Sequence, residues 1–280
     1  MLSTILGKEV RWMLKRVMQA RAEYEPTKPL PSAAYSANAF GADRGRWWPP
    51  QLGGPSSLLR ASQTLNAIRE CRTLLDILSS DTYLEYVKAF YDSGLARWGS
   101  DWEYHDINTV LFTASRILEP KCYMEIGVRR GRSAATVLTQ QPHCEFVGFD
   151  LWLRNYAGME NPGPEFVDRE LERIGHVGRR EYVSGDSRIT VPAYFSSHPH
   201  IYFDIITVDG DHTVGGARAD IKNCMQRLKV GGVLVFDDTC NPSHPGLCEV
   251  WNECMAQAHN YESAIFNEVG FGVAVGIRKY

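Results

Sequence analysis

No apolar run in this 280-residue chain approaches the roughly 20 residues that a membrane-spanning helix needs, so a helical span is not expected. No C-x-x-C pair occurs either. The seven cysteines are odd in number and several sit inside apolar runs, where a thiol behaves as a small hydrophobe. That composition speaks against a disulfide framework and for a reduced, cytoplasmic setting. One wider spacing, Cys240-x-x-x-His244-x-x-x-Cys248, offers three zinc-type ligands, but no second C-x-x-C or H-x-x-x-H half accompanies it. Charge of one sign is lacking as well: 30 Lys and Arg against 33 Asp and Glu give a net charge of -3, which leaves no electrostatic footprint for nucleic acid. A G-x-G-x-x-G element is missing, which lowers the odds of a pyrophosphate-bearing dinucleotide ligand.

The first hundred residues read differently from the rest. Leu2, Leu6, Val10, Met13 and Val17 recur near helical spacing, with Arg11, Lys15, Arg16 and Arg21 between them. They form neither the apolar core nor the small-residue cleavage site of a secretory signal. A helix packed on its own domain or on a second subunit is expected; a transit peptide or membrane-surface helix is the alternative. Residues 25–57 are rich in Pro, Gly and Trp and read as a long loop carrying Trp47 and Trp48. Helices are expected at about 57–79, at about 81–95 with Asp81 as N-cap, and at about 105–118. The expected division is a helical and loop-rich extension over 1–104, acting as a lid or a homo-oligomer contact through its aromatics (Trp98, Trp102 and Tyr104 among them), followed by one domain over 105–280.

From Lys121 the rhythm becomes strand and helix in alternation: CYMEIGV, SAATVLTQQ, CEFVGFD, FVDRELERI, REYVSG, FDIITVD, ARADIKNCMQRL and GGVLVFDD. Alternation of this kind predicts a mostly parallel sheet covered on both faces. ESAIFNE and FGVAVGI, close in sequence, predict an antiparallel ending.

The first strand runs into Glu125-Ile-Gly127-Val-Arg-Arg-Gly131-Arg-Ser133, where a helix opens. Glycines there let the backbone approach a ligand in the crevice outside the strand ends. Asp150 closes the next strand, placed to accept hydrogen bonds from ribose hydroxyls. An acid at the end of the first strand suits a ligand with a cationic amino group.

Further on, ITVDGDHTVGGAR and VFDDT put Asp209, Asp211 and His212 at one strand end and Asp237 and Asp238 at the next. Neighbouring parallel strands lie about 4.8 Å apart, so three acids converge on one spot. Like charges that close need a proton or a cation between them, and an oxygen-only set favours Mg2+ or a Ca2+-like ion over zinc. His212 has the ordinary pKa range for taking a proton from a hydroxyl. Asp211 reads as a cap of the following helix.

EIGVRRGRS resembles the first motif of the class I S-adenosylmethionine-dependent methyltransferases, FVGFD their second, and SGDS their adenine-contacting segment. The resemblance spans about 105–280. It implies a Rossmann-like α/β fold with a mostly parallel sheet and an antiparallel last strand, and S-adenosylmethionine as cofactor. It further implies that Glu125, Gly127, Gly131 and Ser133 flank the methionine part, that Asp150 holds the ribose, that Asp186 lies by the adenine, and that Asp209 borders the same site.

D-x-x-H followed by D-D is similar to the metal-dependent O-methyltransferases, most of all the macrocin-type enzymes acting on sugar hydroxyls of natural products. That resemblance implies Asp209, Asp237 and Asp238 as ligands of a divalent cation, Mg2+, with Asp209 and His212 catalytic and His212 the base. Gly215-Gly216 departs from the aromatic-then-acidic run more usual there. The expected function is methyl transfer to a hydroxyl of a small-molecule acceptor, a sugar or a natural product. The alternatives are a metal-dependent enzyme resembling cephalosporin hydroxylases and a non-catalytic S-adenosylmethionine-binding module.

Overall fold

The computed structural model describes residues 54–155, 158–268 and 270–280. The apolar stripe of residues 2–17 and the Trp47-Trp48 pair, with the expected lid and oligomer contact there, lie outside the described residues. Among the described residues four α-helices come first: α1 Pro55–Ser62, α2 Leu65–Leu75, α3 Thr82–Trp98 and α4 Ile107–Leu118. Then follow β1 Cys122–Ile126, α5 Arg132–Leu138, β2 Glu145–Asp150, α6 Pro164–Arg173, β3 Arg180–Ser184, α7 Ser187–Ser197, β4 Phe203–Val208, α8 Val214–Met225, β5 Leu228–Asp237, α9 Leu247–Ala256, β6 Tyr261–Phe266 and β7 Val273–Arg278.

The sheet has seven strands in the order β3-β2-β1-β4-β5-β7-β6. β1 to β5 pair in parallel, and β7 runs antiparallel between β5 and β6. This is the expected Rossmann-like α/β sheet with its last strand reversed.

Period-2 alternation sends successive strand residues to opposite faces. Tyr123, Phe146, Ile205, Val233 and Val235 enter a cluster with α1 to α6. Met124, Val147, Phe149, Ile206, Leu234 and Phe236 enter a second with α7 to α9. Residues of α1 to α3, together with Trp102 and Tyr104, therefore share one core with the sheet. Trp98 remains 48% exposed.

Local chemistry sets the helix ends. Thr64 is extended and its hydroxyl accepts the Ala67 amide, so the helix expected over 57–79 is two helices with a break at Gln63–Thr64. The Asp81 carboxylate caps α3 by accepting the Leu84 amide at 2.6 Å, as the sequence predicts. Asp106 and Thr109 form a capping box that starts α4.

Trp102 folds back over α3 at Gly94, stacked on Tyr104 with ring centroids 5.3 Å apart. A Cβ on Gly94 would lie 2.2 Å from the indole. Alanine raises helix propensity by about 1 kcal/mol over glycine, whereas overpacking costs about 1–3 kcal/mol, and a methyl inside the ring plane falls at the upper end. Gly94→Ala is therefore expected to lower stability in denaturant unfolding; a stabilised variant would show that Trp102 does not pack there.

Candidate active site

A cavity of about 550 Å³ opens at the carboxyl ends of β1, β2, β4 and β5. Its floor is the turn after β1. Gly127 has φ +93, and a Cβ there would lie 1.9 Å from the Asp209 main-chain oxygen. Glycine alone fits, because the turn must both adopt a left-handed φ and pass against the end of β4. Gly127, Ser133, Asp150, Asp186 and Asp209 all line the cavity. Gly131, at φ +71, is the N-cap of α5.

The Asp150 carboxylate accepts the amides of Arg129 at 2.7 Å and Trp152 at 2.6 Å, and the Asn161 Nδ2 at 3.0 Å. Asn161 Oδ1, also on the cavity wall, is buried with no partner among the described residues. An orphaned acceptor beside a strand-end acid is a match for the vicinal hydroxyls of a ribose. Asp186 caps α7 by accepting the Arg188 amide at 2.9 Å and pairs with the Arg188 guanidinium at 2.7 Å.

Glu125 sits elsewhere than its expected place against the methionine part. It is fully buried beneath the turn, off the cavity wall, where it accepts hydrogen bonds from the Ser133 hydroxyl and, at 2.8 Å, from Tyr123 Oη. Ser133, which does line the cavity, is thereby held from below. Burial pushes the Glu125 carboxyl up to about 8, against the lowering effect of those two hydroxyls.

At the other wall, Asp209 at the end of β4, His212 in the following turn and Asp238 after β5 offer ligand atoms all within 4.8 Å of one another. His212 Nε2 lies 3.2 Å from Asp209 Oδ1 and 3.6 Å from Asp238 Oδ2. Asp237 lines the cavity too but is not one of this trio, in which His212 stands where Asp237 was expected. Residue 238 has φ 63, so the chain leaves the strand there and turns its carboxylate toward Asp209. Burial, then the Asp209 charge, pushes both Asp237 and Asp238 up. Burial pulls His212 down, but the hydrogen bond to Asp209 and the charges of Asp209 and Asp238 outweigh it, and the imidazole is raised.

Asp211, also on the cavity wall, is not one of this trio. Its carboxylate accepts the Thr213 amide at 2.9 Å, and Thr213, the N-cap of α8, accepts the Gly216 amide. A Cβ on Gly216 would lie 1.9 Å from Asp211 Oδ2, so the glycine at this point of the departing Gly215-Gly216 pair makes room for that carboxylate. The zinc spacing is not assembled: Cys240 Sγ and Cys248 Sγ lie against the main-chain oxygen and Nδ2 of Asn267, at 3.7 and 3.6 Å.

Part of the remaining wall comes from residues that no local motif marks: Tyr83 at the start of α3, Ile107 and Asn108 at the start of α4, Asn241 and His244 after β5, and Phe271. His244 packs edge-on to His212, ring centroids 4.6 Å apart. Only its position seven residues after β5, at the mouth of the sheet, gave a hint of its place.

The Glu125 shift has a measurable consequence. Its carboxyl, pushed up to about 8, titrates well above the ordinary range of a glutamate, so the folded state keeps a proton that the unfolded chain releases. Stability contributed this way is full at low pH and is lost as pH rises through that interval. Glu125→Gln cannot titrate, so its melting temperature relative to the unsubstituted protein should climb by a few degrees from pH 5 to pH 8. A pH-independent difference would mean that Glu125 ionises normally.

Residues 124–239 match the family model described as a methyltransferase domain. No curated protein sequence matches the chain. Among solved structures, the O-methyltransferase TomG of Streptomyces achromogenes, involved in tomaymycin synthesis and solved with S-adenosylmethionine, superposes with TM-score 0.51 at 18% identity, covering 72% of this chain and 92% of that one. An O-methyltransferase of Bacillus cereus, solved with S-adenosylhomocysteine, superposes with TM-score 0.51 at 17% identity over the same shares, 72% and 92%. At such identities the likeness establishes a common fold. Residues 124–239 are thus similar to a methyltransferase domain, and they lie in a Rossmann-like sheet whose flanking elements help to line the cavity.

Proposed function

We propose that this protein is an S-adenosylmethionine-dependent O-methyltransferase that acts on a hydroxyl of a small molecule with the help of a divalent cation. The observation that carries the reading is the pairing of two half-sites in one cavity: a nucleoside-type end at Gly127, Asp150 and Asn161, and a carboxylate-imidazole cluster at Asp209, His212 and Asp238. TomG, of the same fold, is an O-methyltransferase solved with that cofactor, which is consistent with the reading.

The cation fits the donor chemistry. Burial and the Asp209 charge favour a proton on Asp238, a crowding that a dication would relieve, and Asp209 and Asp238 would hold it. Once bound, such a cation lowers the pKa of a hydroxyl that contacts it and orients that oxygen. The chain's own residues do the rest. Asp150 and the turn after β1 would hold the nucleoside, and the cavity wall would orient the acceptor hydroxyl toward the sulfonium methyl. S-adenosylmethionine bound there would supply its methyl group to that oxygen and leave as S-adenosylhomocysteine.

The hydroxyl proton must go to a base. His212 Nε2 is turned into Asp209 and Asp238, so we assign the role expected of His212 to His244 instead. His244 lines the cavity, and its ring has no hydrogen-bond partner among the described residues. Asn108 and Asn241 are suited to hydrogen-bond acceptor hydroxyls, and Tyr83 and Phe271 to pack on a sugar or phenol ring. That mixture of amides and rings suits a sugar or natural-product acceptor.

Calorimetry with S-adenosylmethionine and turnover on a panel of hydroxylated sugars and phenols test the reading together. Binding with turnover supports it; binding without turnover of any acceptor favours a non-catalytic module, and no binding rejects it. His244→Ala should cut kcat about 10²–10⁴-fold, the range for a positioned general base, with cofactor affinity unchanged. Asp238→Asn should abolish the stimulation of turnover by dications. Full activity of Asp238→Asn in a chelator would remove the cation from the mechanism.

A further inference from the structure

The donor set of the trio differs from the all-carboxylate set that the sequence suggests, and the difference has a chemical meaning. Asp237 and Asp211 are the two remaining acids at these strand ends. Asp237 lies outside the group of mutually close ligand atoms. Asp211 is committed to the Thr213 amide and is packed against Gly216. The third donor facing Asp209 and Asp238 is a nitrogen, His212 Nε2.

The spacing suits coordination. Cis ligands at about 2.1 Å from an octahedral ion lie about 3 Å apart. The observed 3.2 and 3.6 Å from Nε2 to the two carboxylates need only slight adjustment to reach that arrangement. Two carboxylates and a neutral imidazole also balance a dication's charge. His212 is held for this by the short turn between β4 and the Thr213 cap of α8, with the edge of the His244 ring packed on it.

We propose that His212 is a metal ligand through Nε2, and that the site therefore selects a first-row transition dication, in the series from Mn2+ to Zn2+, over Mg2+. The inference rests on the cation reading proposed above. Imidazole binds borderline transition ions well, whereas Mg2+ prefers oxygen and keeps its waters. A site of two oxygens and one nitrogen on one side leaves the opposite positions to water and an acceptor oxygen.

The full chain, stripped with a chelator, is titrated calorimetrically with Mg2+, Mn2+, Co2+ and Zn2+, and the Mn2+ form is examined by pulsed EPR for coupling to an imidazole nitrogen. The expected result is at least tenfold tighter binding of Co2+ and Zn2+ than of Mg2+ at one site, with nitrogen coupling. His212→Ala should lose both the preference and the coupling. His212→Asp, which restores a third donor as oxygen, should keep a folded site and move the preference toward Mg2+. Asp238→Asn should remove the same site, which separates it from adventitious binding by cysteines and other histidines.

Binding of Mg2+ as tight as Co2+, or a His212→Ala protein with unchanged Co2+ affinity and nitrogen coupling, overturns the assignment while leaving the cation reading in place. Failure of the unsubstituted protein to bind any dication removes both.

Discussion

A side chain at residue 127 would collide with the Asp209 main-chain oxygen, which would lie 1.9 Å from its Cβ. That contact fixes the distance between the turn after β1 and the end of β4, and the cavity is built on it. The nucleoside-type half of the site hangs from the β1 turn, the cation-type half from the β4 end. Their separation is set by backbone against backbone, which is stiffer than any pair of side chains. The Gly127 amide donates to the Phe149 carbonyl at 2.8 Å and the Asp209 amide to the Ile126 carbonyl at 2.9 Å, so the strand ladder continues through the point of closest approach.

Around this point the protein gathers acids that electrostatics would separate. Glu125, Asp237 and Asp238 all hold their protons more strongly than free carboxyls, with burial as the leading cause in each. Asp220, buried on α8 and accepting from the Ser187 hydroxyl at 3.1 Å, is pushed up to about 7. Such a concentration of strained carboxyls at one sheet edge is characteristic of sites that bind or react. Their cost is borne by the large apolar layers on either face, where Phe236 and Trp251 stack with centroids 5.8 Å apart on one side and the α4 and α5 helices pack on the other.

The helices before the sheet have a second role beyond covering it. α3 and α4 bring Tyr83, Ile107 and Asn108 to the cavity from outside the stretch that matches the methyltransferase family. Asp81, the α3 cap, also accepts ion pairs from Arg130 at 2.9 Å and Arg132 at 3.0 Å. One carboxylate thus caps a helix and ties it to the rim of the β1 turn, so that two parts of the cavity wall are held to each other.

The sequence by itself determined the strands, the parallel order and the glycine turn, because strand periodicity, caps and turn residues act over a few neighbours. Asp81 as a cap, Asp150 and Asp209 at strand ends, and the reversed last strand were all legible at that range. Tertiary structure alone decided which donors meet. Adjacent strand residues point to opposite faces, so Asp237 and Asp238 cannot both aim at Asp209 unless the chain turns, and the turn at residue 238 selects Asp238. Burial of Glu125 under Ser133, the swing of Asp211 toward Gly216, and the arrival of Tyr83 and His244 likewise depend on how strands twist and helices pack. Those are long-range contacts, and no window of sequence encodes the distance between their ends.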